Sequence, residues 1–253
     1  MDCDHLVPPD RTLISDGTFQ FHCHAGVRCF RSCCCNVELL LFPYDIILLK
    51  NQLGIHSSDF LRAHTRLCAG SHPFFPGLQL NMREDRSCPF LDEAGCSVYA
   101  NRPSACRTYP LERAVERLGS GQPLRIHYFL THHPYCLGHF EDRSYSVRQW
   151  ERDQMLDACN QYNNLWAEMD ALFASNPWAG EGAAGPYQQL AFMVCYNIDE
   201  FRSYAEKQRL LSRYRLAKED RRRIEKDDGA LLCFGFDWLE TILGGRRKLT
   251  RSK

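Results

Sequence analysis

CPFLDEAGCSVYANRPSACRTYP, residues 88–110, carries three cysteines in a segment without regular periodicity. Cys88, Cys96 and Cys106 are separated by Gly95, a short acidic turn and Pro103. Neither a helical nor an alternating apolar period runs through it, so it reads as loops that carry thiols. Asn101-Arg102-Pro103 looks like the entry to a short helix bearing Cys106. A second cluster lies upstream, with Cys23, Cys29 and the tandem Cys33-Cys34-Cys35. Cys136 follows alone in a Leu-Gly-His turn. Gly26 and Gly95 permit tight turns that aim neighbouring sulfurs at one point.

The chain has 253 residues, 14 of them cysteine, and 44% are hydrophobic, which excludes a disordered polymer. No apolar run approaches the ~18–20 residues that cross a bilayer. The acidic, polar start MDCDHLVPPD is unlike a secretory signal, so a soluble cytoplasmic protein is expected. Thiols in that compartment stay reduced, and reduced cysteines in number are more often metal ligands than staples. Adjacent cysteines would pair only in a strained ring, whereas thiolates turned to a metal face no such limit. The net charge is zero, but residues 1–200 carry a balance of −7 and residues 201–253 one of +7. An acidic cysteine-rich body is a poor nucleic-acid surface. The basic end reads as a solvated helix and a frayed tail from Arg246 to Lys253.

Eight loop cysteines are therefore expected to ligate metal: Cys23, Cys29, Cys33, Cys34, Cys88, Cys96, Cys106 and Cys136. Cys68, Cys159, Cys195 and Cys233, among apolar neighbours on helices, read as buried thiols. Cys3 and Cys35 fit either reading. Only Cys29 to Cys33 has zinc-knuckle spacing, and the common iron–sulfur spacings are absent. The residues say that several thiolates converge and leave zinc and iron both open. Eight sulfurs exceed one tetrahedral zinc site, which favours an iron–sulfur centre. His22, His24, His132 and His133 read as solvated loop histidines, and His139 as the best non-sulfur ligand or partner of one. Arg102 and Arg107 beside Cys106 would offset thiolate charge. No Walker loop, GxGxxG, HExxH or Ser-His-Asp order is present.

These residues resemble a known family. Phe21-x-Cys23, Cys29 and Cys33-Cys34, followed by Cys88-Pro89-Phe90-Leu91, Gly95-Cys96-Ser97-Val98-Tyr99, Arg102-Pro103, Cys106-Arg107 and Tyr109-Pro110, are similar to the YkgJ-type cysteine-cluster proteins, the CxxCxxCC family of zinc- or iron-chelating domains. The first block departs from the family's C-x2-C-x2-CC form and resembles a variant with a longer first spacer and a Pro43-Tyr44-Asp45 helix start. Cys35 stands where a basic residue is usual, and Phe42 where a hydroxyl cap is usual. The resemblance implies metal chelation. Through relatives similar to flagellin lysine N-methylases it also implies an alternative, iron–sulfur-dependent methyl transfer to a protein lysine, or electron transfer. Whether the chain is an enzyme stays open at this point.

The expected fold is α+β and mostly helical. A loop-rich cysteine region with short strands, residues 1–142, precedes a helical cover region with a basic tail, residues 143–253, and the two could form one compact unit. Residues 1–20 read as an irregular lead-in. Helices are expected from Pro43 to Leu53, Asp59 to Leu67, Ser146 to Ala174, and over 186–206, 208–227 and 229–243. Strands are expected at Leu78–Met82 and Arg125–Leu130.

Overall fold

The computed structural model describes residues 10–14, 17–117, 123–182, 184–244 and 248–252. Cys3 and the Pro8-Pro9 turn signal lie outside them. The architecture is α+β, with short strands early and helices from residue 147 onward. Two compact units interleave along the chain. The first comprises residues 1–39 and 80–164, the second 40–79 and 165–253.

The first unit is built on a three-stranded antiparallel sheet, β1 (Asp10–Ile14), β6 (Leu124–His132) and β5 (Leu111–Arg117), in the order β1-β6-β5. The expected strand at Arg125–Leu130 is thus central. The lead-in carries β1 and also β2 (Thr18–Gln20), which pairs with β7 (Ser144–Ser146). Neither was expected, because Asp10–Ile14 alternates poorly and gains its order from pairing with β6. Ser146 caps α4 (Val147–Asp153) through a reciprocal bond with Gln149. The expected long helix breaks at Met155, which takes φ +52°, and resumes as α5 (Asp157–Ala174). That break lets Trp150 turn into the core while its indole N–H donates to the Thr108 carbonyl at 2.9 Å. Phe19, Phe21, Tyr145 and Trp150 meet largely edge to face, with centroids 4.9–6.1 Å apart. Leu111, Tyr128, Cys136 and Leu156 complete this core.

The second unit is helical. Here α1 (Pro43–Leu53) starts on a proline and stops at Gly54, whose φ of +65° suits glycine. Asp45 accepts the Phe42 N–H at 2.9 Å, the half of a capping box that needs no hydroxyl on Phe42, while the Asp45 N–H donates to the Phe42 carbonyl at 2.9 Å. Next comes α2 (Ser57–His64), capped by the His56 ring. Its expected last turn is instead the start of β3 (Thr65–Cys68), which pairs with β4 (Gly77–Leu80). The short α3 (Ser104–Thr108) belongs to the first unit. Then follow α6 (Pro186–Tyr196), α7 (Ile198–Lys207), α8 (Lys218–Lys226) and α9 (Asp228–Ile242). The expected helix over 186–206 divides at Asn197.

Phe75 sits among Phe173, Trp166, Trp178 and Tyr196, with centroids 4.5–6.3 Å away. Helices α6, α7 and α9 close on Gly235. A methyl group there would stand 2.6 Å from Val194 Cγ1 and 2.8 Å from Phe201 Cε1. Gly235→Ala is therefore expected to destabilise the chain by about 1–3 kcal/mol, by overpacking rather than by lost contacts. Urea unfolding reads this directly, and an unchanged or raised midpoint would contradict it.

Candidate metal centre

Four stretches of the first unit converge on one cavity. It has a volume of about 520 Å³, and all eight cysteines singled out from sequence line it: Cys23, Cys29, Cys33, Cys34, Cys88, Cys96, Cys106 and Cys136. Cys35 is not among the lining residues. It is buried, and bridges to Ser87 in the backbone. Cys159 and Cys195 are buried thiols, while Cys68 and Cys233 are half-buried.

Backbone bonds hold the stretches together. Cys88 N–H donates to the Cys34 carbonyl at 2.8 Å, and Asn36 N–H to the Arg86 carbonyl at 2.8 Å, which ties the first cluster to the second. A tight turn over 90–97 returns Cys96 beside Leu91, with Gly95 at φ +136°. Few residues other than glycine adopt that angle. Leu137 N–H donates to Cys29 Sγ at 3.1 Å, which ties the Cys136 loop to the first cluster. Gly138 has no room for a Cβ, which would lie 2.9 Å from the Phe21 ring.

Arginines fasten the loops to one another. Arg31 donates to the Asp92 and Glu93 carbonyls at 3.0 and 2.6 Å. Arg83 donates to those of Pro89 and Leu91 at 2.8 and 3.0 Å. Arg102 reaches the Tyr99 carbonyl at 2.7 Å and lies over the Tyr99 ring, 3.9 Å from its centroid. Arg107 donates to the carbonyls of Arg102 and Gln154, both at 3.1 Å, and of Ala100. The charge role expected for Arg102 from sequence is visible as a pull on the Cys96 thiol toward ionisation. Arg31 acts in the same way on Cys34, and Arg83 on Cys88.

Without a cation the site resists ionisation. Burial, then the neighbouring Cys136, Cys29 and Cys34, push the Cys23 thiol up to about 11. Burial likewise pushes Cys88 up to about 11 and raises Cys96 and Cys136. Cys33 donates to Cys34, so the Cys33 proton is held and the Cys34 pKa falls. Three backbone groups oppose the burial effect. The N–H of Phe90 acts on Cys88, that of Val98 on Cys96 and that of Gly138 on Cys136, each two residues along. Cys29, Cys88 and Cys96 also open turns in which their carbonyls accept from Ser32, Leu91 and Tyr99 at 2.9–3.1 Å. Such turns present amide dipoles to sulfur.

The histidines fall differently from expectation. His139 does not line the cavity. Its ring lies 4.2 Å from that of His132 and 5.2 Å from that of Phe21, centroid to centroid. Burial, then His132, push it down to about 4. His22, read from sequence as solvated, does line the cavity. The aromatic wall of Phe21, Tyr109, Tyr135, Tyr145 and Trp150 carried no readable sequence signal as a site, because aromatic residues at such spacing equally read as core.

Eight thiols face one cavity, from buried Cys136 through half-buried Cys29, Cys34, Cys88 and Cys96 to exposed Cys23, Cys33 and Cys106, and several have amide or guanidinium groups beside them. Such a set suits soft and borderline metals. Residues 22–137, a little under half of the chain, match the model of the CxxCxxCC family, described as a "putative zinc- or iron-chelating domain". No curated protein and no solved structure matches the chain. No helix among the described residues is long and apolar enough to cross a membrane.

Proposed function

We propose that the eight cavity cysteines hold an iron–sulfur centre, and that the chain is a metal-thiolate protein of that kind rather than a mononuclear zinc chelator. One observation carries the reading: eight thiols line a single cavity of about 520 Å³, yet no three of their sulfurs lie within 4.8 Å of one another. Zinc–sulfur bonds of ~2.3 Å in a tetrahedron set sulfurs roughly 3.8 Å apart. A larger inorganic core, with iron and sulfide at its heart, accepts thiolates at wider spacing and in this number. When bound it would supply a one-electron redox couple. The chain's own part is to position eight donors, set N–H groups and arginines against their charge, and wall the site with aromatic rings.

The test is anaerobic purification and reconstitution with iron and sulfide. Visible charge-transfer absorption with matching iron and sulfide content is expected. A colourless protein that takes up zinc and no iron would overturn the iron–sulfur reading. Less than about a tenth of an equivalent of zinc plus iron in folded protein would overturn chelation itself.

Uptake should also depend on pH. The raised thiol pKa values mean that protons compete with metal at neutral pH. Loading is expected to release about one proton for each ligating thiol. Loss to a chelator should be faster at pH 6 than at pH 8. A dye-based proton count near zero on loading would contradict thiolate ligation.

A further inference from the structure

The thiols are not the only ligand set in the first unit. One donor atom each from His22, His24 and Glu141 lie together within 4.8 Å, the one such convergence among the described residues. His24 Nε2 is 3.1 Å from Glu141 Oε2, and the His22 and His24 rings are 4.6 Å apart at their centroids. The backbone builds this approach. Pairing of β2 with β7 aligns Gln20 with Ser144, and the bonds continue past the strands. Phe21 N–H donates to the Arg143 carbonyl at 2.8 Å, and His22 N–H to the Gly138 carbonyl at 2.9 Å. The segment that carries the histidines is thereby laced to the segment that carries Glu141.

We propose that His22, His24 and Glu141 form a second metal site, at the edge of the thiol cavity that His22 also lines but made without its sulfurs, for a first-row divalent cation such as Zn²⁺ or Fe²⁺. Two imidazoles and one carboxylate are the donor set of open zinc sites and of non-haem iron(II) sites. Ligand atoms around tetrahedral zinc stand roughly 3.3 Å apart, close to the spacing found between His24 and Glu141. His24 and Glu141 keep 41% and 36% of their side-chain surface exposed, so the remaining coordination positions face water. The donors are nitrogen and oxygen, whereas the eight cysteines offer sulfur, so the two ligand sets differ in the metals they favour.

Metal-free, His24 Nδ1 accepts the Gly26 N–H at 3.1 Å, which places the ring proton on Nε2, toward Glu141. The cation takes that position between Nε2 and the carboxylate. The proton moves to Nδ1, and the Gly26 N–H turns to water. No proton is gained or lost in the exchange.

The experiment is a Zn²⁺ titration of the full-length chain, purified anaerobically, beside the double variant His24→Gln, Glu141→Gln. Bound metal is counted by mass spectrometry after gel filtration, and histidine ¹⁵N resonances are followed. Wild type is expected to take one Zn²⁺ per chain more than the variant. The affinity of that ion should fall at least ~100-fold in the variant, beyond the loss typical of an outer-shell change. Nitrogen resonances of His22 and His24 should shift on loading. Co²⁺ loading checks the thiolates, whose sulfur-to-cobalt absorption should be equal in the two proteins. Equal Zn²⁺ counts, or unmoved His22 and His24 resonances in wild type, would overturn the site. If the variant fails to fold, the wild-type resonances alone decide. If the thiols take no metal while the extra Zn²⁺ is still lost in the variant, the thiolate reading fails and this site stands.

Discussion

Replacing Arg107 by methionine is expected to destabilise the first unit by about 3–5 kcal/mol and to empty the thiol cavity of metal. Arg107 is 4% exposed, and among the described residues it makes no ion pair. Its three carbonyl partners, on Ala100, Arg102 and Gln154, draw the Cys96–Cys106 loop against the break before α5. Methionine would fill much of the volume but leave the buried Arg102 carbonyl and the part-buried carbonyls of Ala100 and Gln154 without their donor, each worth up to ~1–3 kcal/mol. Arg107→Lys should recover little, because a single ammonium cannot reproduce the planar fork. Urea unfolding gives the stability, and metal content after gel filtration gives the consequence for the site. A fall below ~1 kcal/mol with full metal content would show that the clamp is dispensable.

Lys50→Met carries the second large effect, in the other unit. Lys50 Nζ lies 2.9 Å from Asp199 and 2.8 Å from Asp228, with its side chain 8% exposed. Asp199 also accepts the Ser57 N–H at 2.7 Å, and Asp228 accepts from Arg202 at 2.7 Å. Burial raises both carboxyl pKa values. The hydrogen bonds and charges of Lys50, Ser57 and Arg202 outweigh it, so both end below the ordinary carboxylate value. Removing the lysine leaves two half-buried carboxylates, Asp228 with Arg202 as its remaining cation and Asp199 with Ser57 alone, and a loss of about 3 kcal/mol is expected at pH 7. The sign of the pH dependence follows. In wild type the pair's stabilisation is complete above the unfolded carboxyl pKa of ~3.9, and is lost as pH falls through the lower folded values. In the variant burial is less opposed, so stability should rise from pH 7 toward pH 5. A variant whose stability is flat between pH 5 and 7 would count against this account.

That these cysteines come to one cavity was legible because thiols are rare and their clustering survives any detail of the backbone. Reading Cys23 to Cys136 as one group required no strand or helix to be correct. Helix ends were legible where chemistry marks them, as at Pro43, Gly54 and Ser146. The break at Met155 was not, since no proline or glycine signals it. Strand β5 was missed because Leu111-Glu-Arg-Ala-Val-Glu-Arg117 alternates weakly and becomes a strand through its pairing with β6. Glu141 could not be joined to His24 from sequence, because 117 residues separate them and only folding supplies the approach. Arg107 was read as a counter-charge, while its carbonyl partners depend on where the chain stops after α4.

The interleaving of the two units also sets an order of events during synthesis. Residues 40–79 leave the ribosome early, yet α1 and α2 belong with helices encoded after residue 165. Until then Ile46, Leu49, Phe60 and Phe75, all buried in the finished chain, lack the native partners that the later helices supply. The first unit is likewise open until residue 164 has emerged, so its thiols stand reduced and uncommitted for most of translation. The nascent protein must therefore carry apolar surface and reactive sulfur together, a combination that favours aggregation and premature oxidation. Faithful production would depend on chaperones, on reducing conditions and on a supply of metal at the moment the last helices appear.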